Sequence, residues 1–226
     1  MADGKSLKEQ NAWLIRGVMI AHIVLFTTVA LRPLQLLRMD RQALFAKLDT
    51  AALPGSAALA MIVLAVLLLL GMLPDKWRNR IIHWRWSTPL AGARAFTDIG
   101  PSSSRVDMAA VERQHGPLPT DPAEQDRRFY QVYRQYRDES GVLDAHRYYL
   151  ATRDIGTITF LLMISLPWFA WWISASFGRA AVYAALLAMI YAACAWAAQS
   201  YGQRMVQNVL AIAGCPPVPQ NGSGSA

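Results

Sequence analysis

Residues 57–73, AALAMIVLAVLLLLGML, contain no charged side chain, and ten of them are Leu, Ile or Val. As a helix this run extends about 26 Å at 1.5 Å per residue, close to the roughly 30 Å hydrocarbon thickness of a bilayer. Each central Leu, Ile or Val favours insertion by roughly 0.3 to 0.6 kcal/mol, so the run prefers the membrane by several kcal/mol before any tertiary contact forms. Three further apolar blocks repeat the pattern, at residues 12–31, 155–177 and 180–201. The composition agrees: 54% of the chain is hydrophobic and only 16% charged, against roughly 25% charged in soluble domains. These observations predict an all-α membrane protein with four transmembrane helices and a cytoplasmic helical insertion between the second and third.

The flanking charges set the expected topology. Lys76, Arg78, Arg80, Arg85, Arg94, Arg105 and further arginines crowd residues 75–154, whereas the other face receives Arg32, Arg38, Arg41, Lys47 and Arg179. The richer side is expected to be cytoplasmic, which places both termini inside a bacterial inner membrane. The predicted order is a cytoplasmic N-terminus at 1–11, spans at 12–31 and 57–73, and an outer amphipathic connector at 32–56. The cytoplasmic segment at 75–154 follows, then a hairpin of spans at 155–177 and 180–201. A cytoplasmic, largely disordered tail at 202–226 ends the chain. Pro167 lies inside the third span, where it removes a backbone donor and predicts a bend. Trp168, Trp171 and Trp172 beside the hairpin turn read as interfacial anchors.

The segment after the second span carries what chemistry the sequence offers. It opens DKWRNRIIHWRW, in which Trp77, Trp84 and Trp86 alternate with Arg78, Arg80 and Arg85. This is the pattern of a helix lying against anionic headgroups, the aromatic rings at the interface and the guanidinium groups on phosphate. Its position beside the membrane disfavours nucleic acid as the partner. A short helix is expected from Ser104, with Asp107 as its capping-box partner and Gly116 as its stop. A second begins at Pro122, capped by Asp121. Phe129, Tyr133 and Tyr136 form an aromatic stripe along that second helix, with Arg134 and Arg137 beside them. The stripe is expected to pack on a following helix that contains His146 and runs unbroken into the third span. The five residues are also the candidates for docking a protein partner.

No catalytic pattern stands out. His83, His115 and His146 fall on separate predicted elements without a helical metal-ligand pair, and Cys194 and Cys215 lack metal or disulfide spacing. Asp144 with His146, and Asp154 with Arg153, read as solvated surface pairs. His22 in the first span reads as a neutral imidazole bonded within the bundle. Ala180, Ala184, Ala188 and Ala192 recur every four residues and are expected to form a close helix-packing stripe. The expectation is a non-enzymatic membrane subunit without cofactor or metal. It would scaffold or dock a protein partner, or a second copy of itself, within an assembly of the kind used in secretion, conjugation or defence. The alternative is a small oligomeric channel or pore-forming effector.

Overall fold

The computed structural model describes residues 11–31 and 53–215, and every regular element among them is helical. The connector predicted at 32–56 falls mostly outside these residues, as do nearly all of the N-terminal segment and the end of the tail. Helix α1, Ala12–Phe26, passes into a wide π turn at Thr27–Leu31. Helix α2, Leu53–Met72, begins four residues before the expected span, because Pro54 in a first helical turn has no intrahelical hydrogen bond to lose. Helix α3 covers Asp75–His83. After 3₁₀ and π turns at Ala91–Arg94 and Ala95–Ile99 come α4, Met108–His115, and α5, Pro122–Tyr136. Two long helices close the chain, α6 at Ser140–Ser174 and α7 at Phe177–Ala213.

Three helices, α1 with its π extension, α6 and α7, are long and apolar enough to cross a membrane. Their outward faces carry Ile20, Val24, Ile164, Val182 and Met189, all exposed, a distribution suited to lipid rather than water. Helix α6 continues without interruption from polar sequence into apolar sequence, as expected. The boundary drawn at residue 201 is corrected: α7 runs on to Ala213, so residues 202–213 are helical and not part of a disordered tail. Val206, Val209, Leu210 and Ala213 recur at helical spacing there and are fully buried, which explains why this stretch holds a helix.

The chain divides into two compact units, Met1–Arg85 with Arg147–Ala198, and Trp86–His146 with Gln199–Ala226. Helices α6 and α7 supply residues to both. The first unit is centred on α6, whose Ile158, Leu162, Leu166 and Ala170 pack with Met19 and Phe26 of α1, Val66 of α2, and Tyr183 and Leu187 of α7. Phe26 stacks on Phe169 at 5.7 Å and meets Tyr183 edge-on at 5.6 Å. Where α6 passes α7, a side chain at Gly156 would come within 2.7 Å of Ile82 and 3.2 Å of Cys194, so a glycine permits the close approach.

The second unit has a core of its own, in which Ala95, Phe96, Ile99, Val111, Phe129, Val132, Val142, Val206 and Leu210 take part. Gln125, 1% exposed, is its polar hub. The Gln125 side-chain oxygen accepts from the Phe96 amide at 3.1 Å, and its nitrogen donates to Thr97 Oγ1 at 3.1 Å and to the Thr120 carbonyl at 2.8 Å. One side chain thereby satisfies the irregular turns at 91–99 against α5, where a buried polar group without partners would be costly. The capping expectation at Ser104 is corrected. The cap is Asp107, which accepts from the Ala110 amide at 3.0 Å, and the helix starts at Met108. Gly116 ends it at φ 81, a left-handed conformation that favours glycine. Asp121 caps α5 as expected, accepting from the Ala123 and Glu124 amides.

Candidate functional site

In the first unit, a charge cluster forms where α2 gives way to α3, with Arg78, Arg153 and Asp154 buried and Asp75 at its exposed edge. Pro74 ends α2, and the turn of α3 that follows carries Asp75, Arg78, Asn79 and His83. Arg78 reaches back to the end of α2, donating from Nε to the Leu73 carbonyl at 3.0 Å and from Nη2 to the Leu70 carbonyl. It thereby satisfies two of the acceptors that a helix C-terminus leaves without intrahelical donors. Its Nη1 lies 3.8 Å from Asp75 and 3.7 Å from Asp154 of α6. Arg153 completes the cluster, with Nη2 3.0 Å from Asp154 and 3.5 Å from Asp75. Tyr149, one turn before Arg153, donates to Asn79 at 3.2 Å, and its hydroxyl is 3.4 Å from His83 Nε2.

This arrangement corrects two expectations. Arg153 and Asp154 are not a solvated surface pair; they are 5% and 7% exposed. Arg78, expected to reach lipid phosphate, is 8% exposed and turned inward onto carbonyls and carboxylates. Two arginines face two aspartates, and every charge has an opposite neighbour. The cluster joins α2, α3 and α6.

The other predicted anchors divide. Trp77, Trp84 and Trp86 are exposed, and so is Arg85. Arg80 is half-buried with its guanidinium 5.0 Å from the Trp77 ring. Trp84 donates from its indole to the Tyr191 hydroxyl at 2.8 Å, and that hydroxyl donates to the Ile81 carbonyl, which ties the end of α3 to α7. Of the expected packing stripe, Ala180 is buried and Ala184 half-buried, but Ala188 and Ala192 are exposed. The inward face of α7 carries Tyr183, Leu187, Ala195 and Ala198 instead. A four-residue repeat advances about 40° per step around a helix of 3.6 residues per turn, so by Ala192 the stripe has rotated away from the contact. Within the first span, His22 donates from Nδ1 to the Val18 carbonyl at 2.8 Å, with Nε2 3.3 Å from Thr159 Oγ1.

In the second unit the aromatic stripe splits between core and rim. Phe129 is 4% exposed and lies in the core, so it is withdrawn from docking. Tyr133 and Tyr136 are half-buried against that core. The Tyr133 hydroxyl is 2.7 Å from His146 Nδ1, and burial pushes its phenol pKa up, partly offset by Arg137. The residue missed from sequence is Tyr130, 60% exposed and stacked on Tyr133 at 6.1 Å. Arg127, Tyr130, Arg134 and Arg137 are all exposed and stand at i, i+3, i+7 and i+10, which is one face of α5 continued by its helical C-cap, Arg137. Counting back from the buried positions 125, 129 and 132 would have found that face.

Among the described residues, no group of three or more His, Cys, Asp or Glu side chains is placed to hold a metal ion. The arrangement as a whole defines an all-helical protein with three helices able to span a membrane. Comparison of the chain with protein families, with curated proteins and with solved structures finds no match in any of the three.

Proposed function

We propose that this chain is a non-catalytic integral subunit of a bacterial inner membrane, which docks a protein partner through the outward face of α5. In this reading α2 is a fourth span, both termini are cytoplasmic, and the second unit lies on the cytoplasmic side. The observation that carries it is the ridge of Arg127, Tyr130, Arg134 and Arg137, exposed on a helix whose opposite face, Gln125, Phe129 and Val132, is fixed in a core. Three guanidinium groups around one aromatic ring suit an acidic partner surface, since arginine and tyrosine are favoured interface anchors. The charges steer and orient the encounter, and the exposed ring of Tyr130 supplies contact area.

Affinity purification in mild detergent tests this reading, comparing the wild-type chain with Arg134→Glu and with Tyr130→Ala. Each substitution is expected to weaken a specific partner by about tenfold or more, a loss of about 1.4 kcal/mol or above. Retention of the same partner at full yield by both variants would refute the α5 face. The channel reading gains nothing from His22, Thr157 and Thr159, which are buried and bonded within the first unit.

A further inference from the structure

At the opposite end of α6 and α7 from the charge cluster, the first unit holds a cavity of about 510 Å³. Thr28, Val29, Ser176, Gly178, Arg179 and Val182 line it. Among the described residues Arg179 is the only charged side chain that lines it, no carboxylate lies within ion-pair distance of Arg179 and no hydrogen bond engages it. The contrast with Arg78 and Arg153, each faced by two aspartates, is complete. A half-buried guanidinium without a counter-charge among the described residues presents planar, always-charged donors to a ligand. Two hydroxyls stand beside it. Thr28 Oγ1 already donates to the Leu25 carbonyl, so its proton is not offered to an anion. Among the described residues the Ser176 hydroxyl has no hydrogen-bond partner, so it can donate. The amides of the first turn of α7 add positive potential on the same side.

The cavity is open, with half-buried Val29 and exposed Val182 as its apolar side, and the helices that frame it are ones able to span a membrane. A ligand that satisfies both parts carries a phosphate at one end and hydrocarbon at the other. We propose that this cavity is a binding site for the headgroup of an anionic phospholipid. Arg179 donates to the phosphate in two-pronged fashion, Ser176 donates to it alongside, and the proximal chain of the lipid lies along Val29 and Val182. This site is separate from the Trp77 to Trp86 surface, and it does not depend on the α5 docking face.

The test uses the full chain in mild detergent, with phosphatidylglycerol supplied in mixed micelles and lipid bound per protein read by native mass spectrometry. The wild type is expected to retain phosphatidylglycerol at one site. Arg179→Gln should lower its affinity by about tenfold or more, as loss of a charge-assisted pair implies. Arg179→Lys should restore part of that loss, and Ser176→Ala should show a smaller one. Arg113→Gln, which removes an exposed positive charge in the second unit, should bind as the wild type does. Inorganic phosphate at equal concentration should not displace the lipid, since it cannot use the apolar side. The proposal is overturned if Arg179→Gln elutes as a single monodisperse species and retains as much lipid as the wild type. It is equally overturned if inorganic phosphate alone binds as tightly as phosphatidylglycerol, which would make the cavity a plain anion site. If Arg179→Gln does not fold, Ser176→Ala and Arg179→Lys carry the test, and wild-type affinity in both refutes it.

Discussion

Arg153 and Asp154 were legible in the sequence as a pair, but not as a buried one, because adjacent opposite charges look alike on a solvated helix and at a helix crossing. What distinguishes them is Arg78, seventy-five positions earlier, which no local pattern connects to α6. The two environments differ in energy. Asp154→Asn removes one partner from a buried set and is expected to cost about 3–5 kcal/mol. Asp138→Asn removes a partner from an exposed pair, 3.5 Å from Arg137, and should shift stability by less than about 0.5 kcal/mol. Thermal unfolding of both variants in the same detergent checks the difference. Asp126 adds a pH dependence, because burial raises its pKa above the ordinary value of 3.8. The folded state therefore holds this proton more tightly than the unfolded state. Its contribution favours folding below 3.8 and is lost as pH rises through the higher folded value. Asp126→Asn should accordingly stabilise the protein at neutral pH and lose that advantage below 3.8, a trend read from melting temperatures across the acid range.

At the scale of the element, apolar runs and caps were legible wherever one signal acted alone. Asp121 and Pro122 mark the start of α5 because an N-cap acceptor and a first-turn proline agree on one register. Near α4 two acceptors compete, and Asp107 takes the cap, its carboxylate accepting from the Ala110 amide at 3.0 Å. Asp107→Ala should therefore cost about 1 kcal/mol, whereas Ser104→Ala should be nearly neutral, as measured by unfolding in detergent. The extension of α7 past residue 201 was hidden by composition. Gln199, Gln203 and Arg204 lower the hydropathy, and spans are recognised by hydropathy, although Val206, Val209 and Leu210 keep a helical period.

At the scale of the whole molecule, membrane character was legible because burial in lipid needs only length and the absence of charge. The core of the second unit was not, because Phe96, Phe129, Val142 and Val206 come from four separate stretches with no shared period. The number of spans has a direct consequence. If α2 crosses together with α1, α6 and α7, both termini lie on one side, and three crossings would put them on opposite sides. Fusions of a fluorescent protein and of alkaline phosphatase to each end are expected to give fluorescence without phosphatase activity at both termini. Phosphatase activity at one end alone would leave three spans. The closure of α2 by Arg78, Arg153, Asp75 and Asp154 bears on the same membrane in electrical terms. An elementary charge moving through the full membrane potential exchanges about 2.3 kcal/mol per 100 mV. The four side chains sum to zero, so displacing them together through such a field would exchange no net electrical work.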